Sequence, residues 1–299
     1  VPPSVEKFLH IDYKNVVQAN NPSALKQGIQ TMLRVGTEQS SNKSFIGCLA
    51  DIHAYVMKTP GKMSISEFCI FIRDTITLDD FVRLHDGDLV SHFRPGNDSP
   101  VDIEKYAYSR IVKKSPKSRG TRDTVRAYEQ FRKFMVDPVS VINHVFIWDI
   151  IANNDRVFGM TINPIIIEVN DDDITNNVGV ICPSSTYTSA VFNPDKPSVI
   201  LMKRDNYYEL LSVVMTDEVN RRKRYHNMKL FYLDDTIAPE LQSILTVLTK
   251  TTAKMCKPLP SQPDIYFFET NIGANDVVHR LRTGGYVVDA QVVSPRSKA

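Results

Sequence analysis

The sequence predicts an α+β protein, with a helical first half packed on a mostly antiparallel sheet. Three observations carry this. Up to about residue 160 the apolar side chains recur at offsets of three and four, the period of helices with a buried face. From Asn163 β-branched runs take over, beginning with Pro164-Ile165-Ile166-Ile167-Glu168-Val169. A helix and a last strand then close the chain. Helices in one run and strands in another mark α+β architecture rather than alternating α/β.

In order, residues 1–13 open on Pro2-Pro3 with Val5, Phe8 and Leu9 at helical spacing, a short helix entered through proline. Asn20-Asn21-Pro22-Ser23 is a turn, and Ser23 stands as the cap of a helix running to residue 33. Phe45, Cys48, Leu49, Ile52 and Val56 form one buried stripe of an amphipathic helix with Ser44 at its N-cap. Thr59-Pro60-Gly61-Lys62 ends that helix, and Ser64 with Glu67 makes a capping box for the next. Further helices are expected over 78–84, from Asp98-Ser99-Pro100 to 111, over 124–135, and over 139–153 after Asp137-Pro138. Strands are expected over 164–169, 178–183, 199–202, 207–215 and 225–233. A helix over 239–254, an extended stretch at 265–268, a helix over 275–282 ended by Gly284-Gly285, and a strand over 286–293 complete the reading. The whole reads as a single domain over 1–299, with a helical subregion over 64–160 before the sheet. It lacks an initiator methionine and ends within a pattern, so it is read as a piece of a longer protein.

Composition narrows the function classes. Of 299 residues, 42% are hydrophobic and 23% charged, an ordinary globular balance with ample core. A net charge of +2 does not by itself argue for nucleic acid. Cys48, Cys69, Cys182 and Cys256 are widely spaced and make neither a CxxC pair nor a zinc pattern, so they are read as isolated thiols in a reducing compartment. No apolar run reaches the roughly 18 residues of a membrane span, and Val1 begins no signal peptide. No cofactor, metal or small-molecule substrate is expected.

Two stretches carry the functional argument. Leu33-Arg34-Val35-Gly36 through Ser44-Phe45 is a polar loop entering a helix. A nucleophile there would gain from free backbone N–H groups and the positive end of the helix dipole. This stretch resembles the papain-like ovarian-tumour (OTU) deubiquitinases, which place their cysteine at such a point; here the residue is Ser44. Downstream, 197–211 reads as strand, turn, strand. The OTU pattern opens its second strand with a His-Tyr pair whose histidine is the general base; here the pair is Tyr207-Tyr208, with Glu209 near the place of an acid partner. A phenol, titrating near pH ~10 in free peptides, is a poor base at neutral pH. The resemblance therefore implies an OTU-like fold with vestigial positions Ser44, Tyr207 and Glu209 and no catalysis.

The wider pattern is similar to the large subunit of the early transcription factor of nucleocytoplasmic large DNA viruses. Val5-Glu6-Lys7-Phe8-Leu9, the Gly36 loop with Ser44-Phe45, the Lys203-to-Glu209 hairpin, and Gly285-Tyr286 through Gln291-Val292-Val293 carry it. That resemblance implies a non-catalytic domain of a viral early transcription initiation factor. Its partners would be the viral transcription machinery or another protein, and its places the virion and the host cytoplasm.

Ordinary structural readings stand beside these. Ser44 serves equally as a helix cap. As an active nucleophile it would need a base among His53, His144 and His226. His53 lies too far along the same helix, His144 sits on an apolar helix, and His226 follows a basic run. Cys48, one turn inside the helix on its apolar stripe, reads as buried and inert. Asp171-Asp172-Asp173 with Glu168 reads as a solvated turn rather than a metal site. Lys113, Lys114, Lys117, Arg119 and Arg122, and the run Arg221-Arg222-Lys223-Arg224, read as solvated faces or as contacts to a DNA backbone. An active serine or cysteine hydrolase and a virion structural protein are the competing functions.

Overall fold

A mixed sheet, buried on both faces, orders the molecule. The computed structural model describes residues 1–96, 100–170, 178–182, 192–219, 222–233, 237–256 and 274–285. The chain opens with α1 (Pro3–Phe8), α2 (Tyr13–Val16), β1 (Val17–Gln18), β2 (Asn21–Leu25) and β3 (Gln30–Val35). A helical block follows: α3 (Ser44–Met57), α4 (Ile65–Thr75), α5 (Leu78–Phe81), α6 (Asp88–His92), α7 (Arg110–Lys114), α8 (Arg119–Val136) and α9 (His144–Ala152). Then come β4 (Asn163–Val169), β5 (Val178–Ile181), β6 (Ser198–Arg204), β7 (Tyr207–Val219), β8 (Arg222–Met228), α10 (Pro239–Met255) and α11 (Ala274–Thr283). The strand order is β3-β7-β6-β4-β5, with β8 also on β7. Only the β4–β6 pair is parallel among the described strands.

Alternation along the strands divides the core in two. Ile166, Val199, Leu201, Tyr208 and Leu210 face the helical block. Ile165, Ile167, Ile200, Met202, Leu211 and Val213 face α1 and α10 on the other side. Strands covered twice need no polar face, which explains the unbroken apolar runs of β4 and β6.

The α+β reading and the mostly antiparallel sheet hold. Four local expectations do not. Residues 23–33 were expected to be helical and instead form β2 and β3; β3 is paired residue for residue with β7, from Gln30 opposite Met215 to Val35 opposite Leu210. Sheet pairing overrides the weak local helical preference here. α3 is not a one-stripe helix, since every residue from Ser44 to His53 is buried, between the sheet and α4. Gly47 permits this: a Cβ there would stand 2.2 Å from the Glu38 carbonyl oxygen. The helices expected up to 111 and from 139 are shorter, α7 and α9, each entered through its own cap, Ser109 and Asn143. The Ser64–Glu67 capping box forms with both bonds. The expectations over 265–268, 286–293 and Asp171–Asp173 lie outside the described residues.

The cysteines also differ from expectation. Cys48 and Cys69 are free and buried, but Cys182 and Cys256 form a disulfide between the end of β5 and the end of α10. Sequence spacing could not pair them, and the cysteines therefore no longer argue for a reducing compartment. The bridge spans a sequence separation of 74, worth about 4 kcal/mol by loop-closure entropy. Dithiothreitol should lower the midpoint of thermal unfolding, and a Cys182→Ser variant should melt at that lower midpoint with or without reductant. A wild-type melting curve that ignores reductant would show that the bridge is not formed in solution.

Candidate functional site

Ser44 is the first residue of α3, and Lys43, not Ser44, holds the N-cap position. The Ser44 hydroxyl is used elsewhere. It donates to the Asn206 carbonyl at 2.9 Å and accepts the Tyr208 N–H at 3.0 Å. Asn206 closes the turn between β6 and β7, next to Asp205 at φ +52°. One serine thus ties the start of a helix to the tip of a hairpin 162 residues away. The side chain is 1% exposed.

The loop before Ser44 is fixed in the same manner. Gln39 Nε2 donates to the Tyr208 carbonyl at 3.1 Å, and the Glu38 carboxylate accepts the Ile65 N–H at 2.9 Å. Asn42 Nδ2 donates to the carbonyls of Pro138 and Ser140, and Lys43 donates to that of Asp137. The loop is therefore held to three elements before the helix begins.

β7 alternation turns Tyr208 toward α3. It sets Tyr207 and Glu209 in the other register, with Leu211. Tyr207, expected at the place of the base, is 47% exposed. Glu209 pairs with Arg34 at 2.9 Å, a partly exposed bridge of the kind worth about 0–1 kcal/mol. Tyr208 is buried with its ring edge-on to Phe45 at 5.0 Å and its hydroxyl 2.7 Å from His144 Nδ1. Burial, and then the Lys203 charge, push His144 down to about 4. Burial, and then the Glu168 carboxylate, push the Tyr208 phenol up. The bond therefore joins a neutral phenol and a neutral imidazole. His144 is the satisfied core histidine that its apolar helix implied.

His53 packs among Phe68, Phe71 and Phe158, and His226 is exposed on β8. Cys48 is buried, its thiol pushed up to about 12 by burial, with Thr37 Oγ1 at 3.5 Å. A serine whose proton lies on a carbonyl and an imidazole bound to a phenol make no nucleophile–base pair.

The basic residues separate into two places. Between Lys105 and Arg122 there are seven cations and no acid. Lys105 stands before α7 and pairs with Glu129, and the other six fall on α7, the turn after it and the first turn of α8. Lys113, Lys114, Lys117 and Arg119 are exposed, and Arg122 is half-buried, its guanidinium donating to the Lys117 carbonyl. Ser118 caps α8, and Thr121 donates to the Ser115 carbonyl, so the turn is fixed. Arg222, Lys223 and Arg224 lie on β8, with Lys223 in register with Glu218 and Arg224 with Asp217. Arg221 lies outside the described residues. The two runs belong to different elements and layers. Glu168, expected in an acidic turn, pairs with Lys203 across the parallel β4–β6 pair. Among the described residues no group of His, Cys, Asp and Glu could hold a metal ion, and no helix is long and apolar enough to cross a membrane.

Two features escaped sequence reasoning. One is a cavity of about 600 Å³ where α2, β3 and α10 meet. Nothing in the sequence signals it, since it depends on β3 being a strand. The other is a polar cavity of about 650 Å³ lined by Asp80, Arg83, Asp149, Asn153 and Arg156. Asp149 is buried there, accepting the His85 N–H at 2.7 Å and Asn153 Nδ2 at 3.1 Å, and burial pushes its carboxyl up. It holds His85 at φ +52°. A lone aspartate inside Phe146-Ile147-Trp148-Asp149-Ile150-Ile151 was the available signal.

No protein-family model matches the chain, and no curated protein matches it either.

His144 gives the site a pH signature. Its protonation is disfavoured in the folded state, so the unfolded chain takes up this proton first as the pH falls. The corresponding stability is present above about pH 6.5 and is lost toward pH 4. Urea unfolding at pH 7 and pH 4.5 should show the wild type losing on the order of 2 kcal/mol more than His144→Gln. Equal losses would place the titration elsewhere.

Proposed function

We propose that this chain is a non-catalytic interaction domain on an OTU-like, papain-like frame, serving a viral early transcription initiation factor. The observation that carries the reading is the Ser44 cross-tie. A residue at the helix N-terminus where that frame keeps its nucleophile here spends its hydroxyl on the backbone of the opposing hairpin. The strand residue turned toward it is a buried tyrosine. The sequence pattern shared with the transcription-factor subunit supplies the biological setting, and the absence of an acid between Lys105 and Arg122 supports phosphate-backbone contact through the α7–α8 turn.

A ubiquitin-based covalent probe tests the catalytic half. Neither the wild type nor Ser44→Cys should be labelled, and neither should cleave ubiquitin chains, because restoring a thiol restores no base. Labelling at Ser44 or Cys48 would make the chain a hydrolase.

Duplex DNA tests the other half. Affinity should fall linearly on a log–log salt plot, with a slope of about −0.9 per phosphate neutralised. Lys113→Ala with Lys117→Ala should flatten the slope for all sequences alike. Such exposed substitutions should leave stability within about 0.5 kcal/mol. A flat salt response in the wild type, or no binding at low salt, would restrict the domain to protein partners.

A further inference from the structure

Strand β3 begins the sheet order and pairs only with β7, so among the described residues no strand occupies its outer edge. Protein edges are commonly protected by proline, lysine or a bulge. Gln30-Thr31-Met32-Leu33-Arg34-Val35 has none of these, and its single charge, Arg34, is paired with Glu209. Gly28, at φ +73°, turns the chain into this strand, its N–H bound to the Thr216 carbonyl. The edge therefore begins at a fixed point.

The cavity of about 600 Å³ lies at that same point, with Gln30 and Thr31 in its wall. Its volume is in the range of ligand-holding sites. Ile11, Val16, Ile29, Leu241 and Ile244 supply an apolar lining. Asp12 and Glu240, both exposed, bring two carboxylates to the same wall, and no lysine or arginine lines it. Gln30 Oε1 accepts the Ala238 N–H at 2.7 Å, which fixes the start of α10 against the strand and holds the cavity open beside it.

A strand edge with no partner among the described residues calls for backbone partners, an apolar hollow at its start for a hydrophobic side chain, and an acidic wall for a cation. We propose that the edge of β3 seats an extended peptide segment of another protein. The segment adds as a further strand, sets an apolar side chain into the cavity, and carries lysine or arginine opposite Asp12 and Glu240. This is strand addition, in which main-chain bonds give affinity and the pocket gives selectivity. Nothing in the seat involves Ser44 or Tyr207, so its failure would leave the preceding reading untouched, and the reverse holds too.

The test is to pan the full chain against phage-displayed random peptides about twelve residues long, then to synthesise the enriched sequence with a fluorophore. Enriched peptides should alternate apolar residues and carry lysine or arginine. N-methylation of one alternate set of peptide amides should weaken binding at least about tenfold, and of the other set by less than about twofold, as edge pairing requires. Asp12→Lys with Glu240→Lys should weaken it about tenfold with an unchanged circular dichroism spectrum. No enrichment, or equal tolerance of both methylated sets, would overturn the proposal. So would displacement of the probe by a synthetic peptide of residues 286–293, because the seat would then belong to this chain itself.

Discussion

The molecule depends on one hydroxyl that donates and accepts across two layers. Ser44 begins a helix whose residues from Ser44 to His53 are all buried, and it ends, through its Oγ, on the backbone of the β6–β7 turn. The Tyr208 N–H it satisfies would otherwise be a backbone donor beside a buried aromatic cluster, and a buried unpaired group costs about 1–3 kcal/mol. The tie also sets a register. With Tyr208 N–H fixed on Ser44, the Tyr208 ring falls on Phe45 and its hydroxyl on His144. Sliding β7 by one residue would turn Tyr207 inward and undo all three contacts.

That register then propagates. β7 is the strand on which β3, β6 and β8 all pair, so its alternation decides which side chains meet the helical block and which meet α10. On the far face the fixing is covalent, through Cys182 and Cys256. Both faces are packed apolar cores; the near face adds the hydrogen bonds of a polar loop and the buried Tyr208–His144 pair, and the far face adds the bridge, so reducing agents and low pH should act on different faces.

Legibility followed the range of the interactions. The capping box at Ser64, the apolar strands β4 and β6, and the burial of Cys48 were readable because each is set by neighbours a few residues away. β3 was misread as helix because only its pairing with β7, some 180 residues on, makes it a strand. The start of the helix at Ser44 was readable, but the N-cap position falls to Lys43, which makes no side-chain cap bond, and the Ser44 hydroxyl goes to Asn206 and Tyr208 instead. The cavity beside β3 and the disulfide were illegible for the same reason as β3. Asp149 was legible in principle, since a carboxylate inside an apolar helix must find a donor, and His85 supplies one.

Serine suits the cross-tie better than cysteine would. A thiol is a weak donor and a weak acceptor. Here the bonds are 2.9 and 3.0 Å, to a carbonyl and from an amide, both within the range of good hydroxyl bonds. A larger sulfur would lengthen both and push the hairpin tip away from the helix. A hydroxyl therefore gives a tighter tie than a thiol would. The two residues support each other: the phenol of Tyr208 fills the core and engages His144, and the serine fixes the strand that presents it. The tie makes the junction of helix and hairpin a firm support for the two surfaces proposed above for binding, the basic α7–α8 turn and the edge of β3.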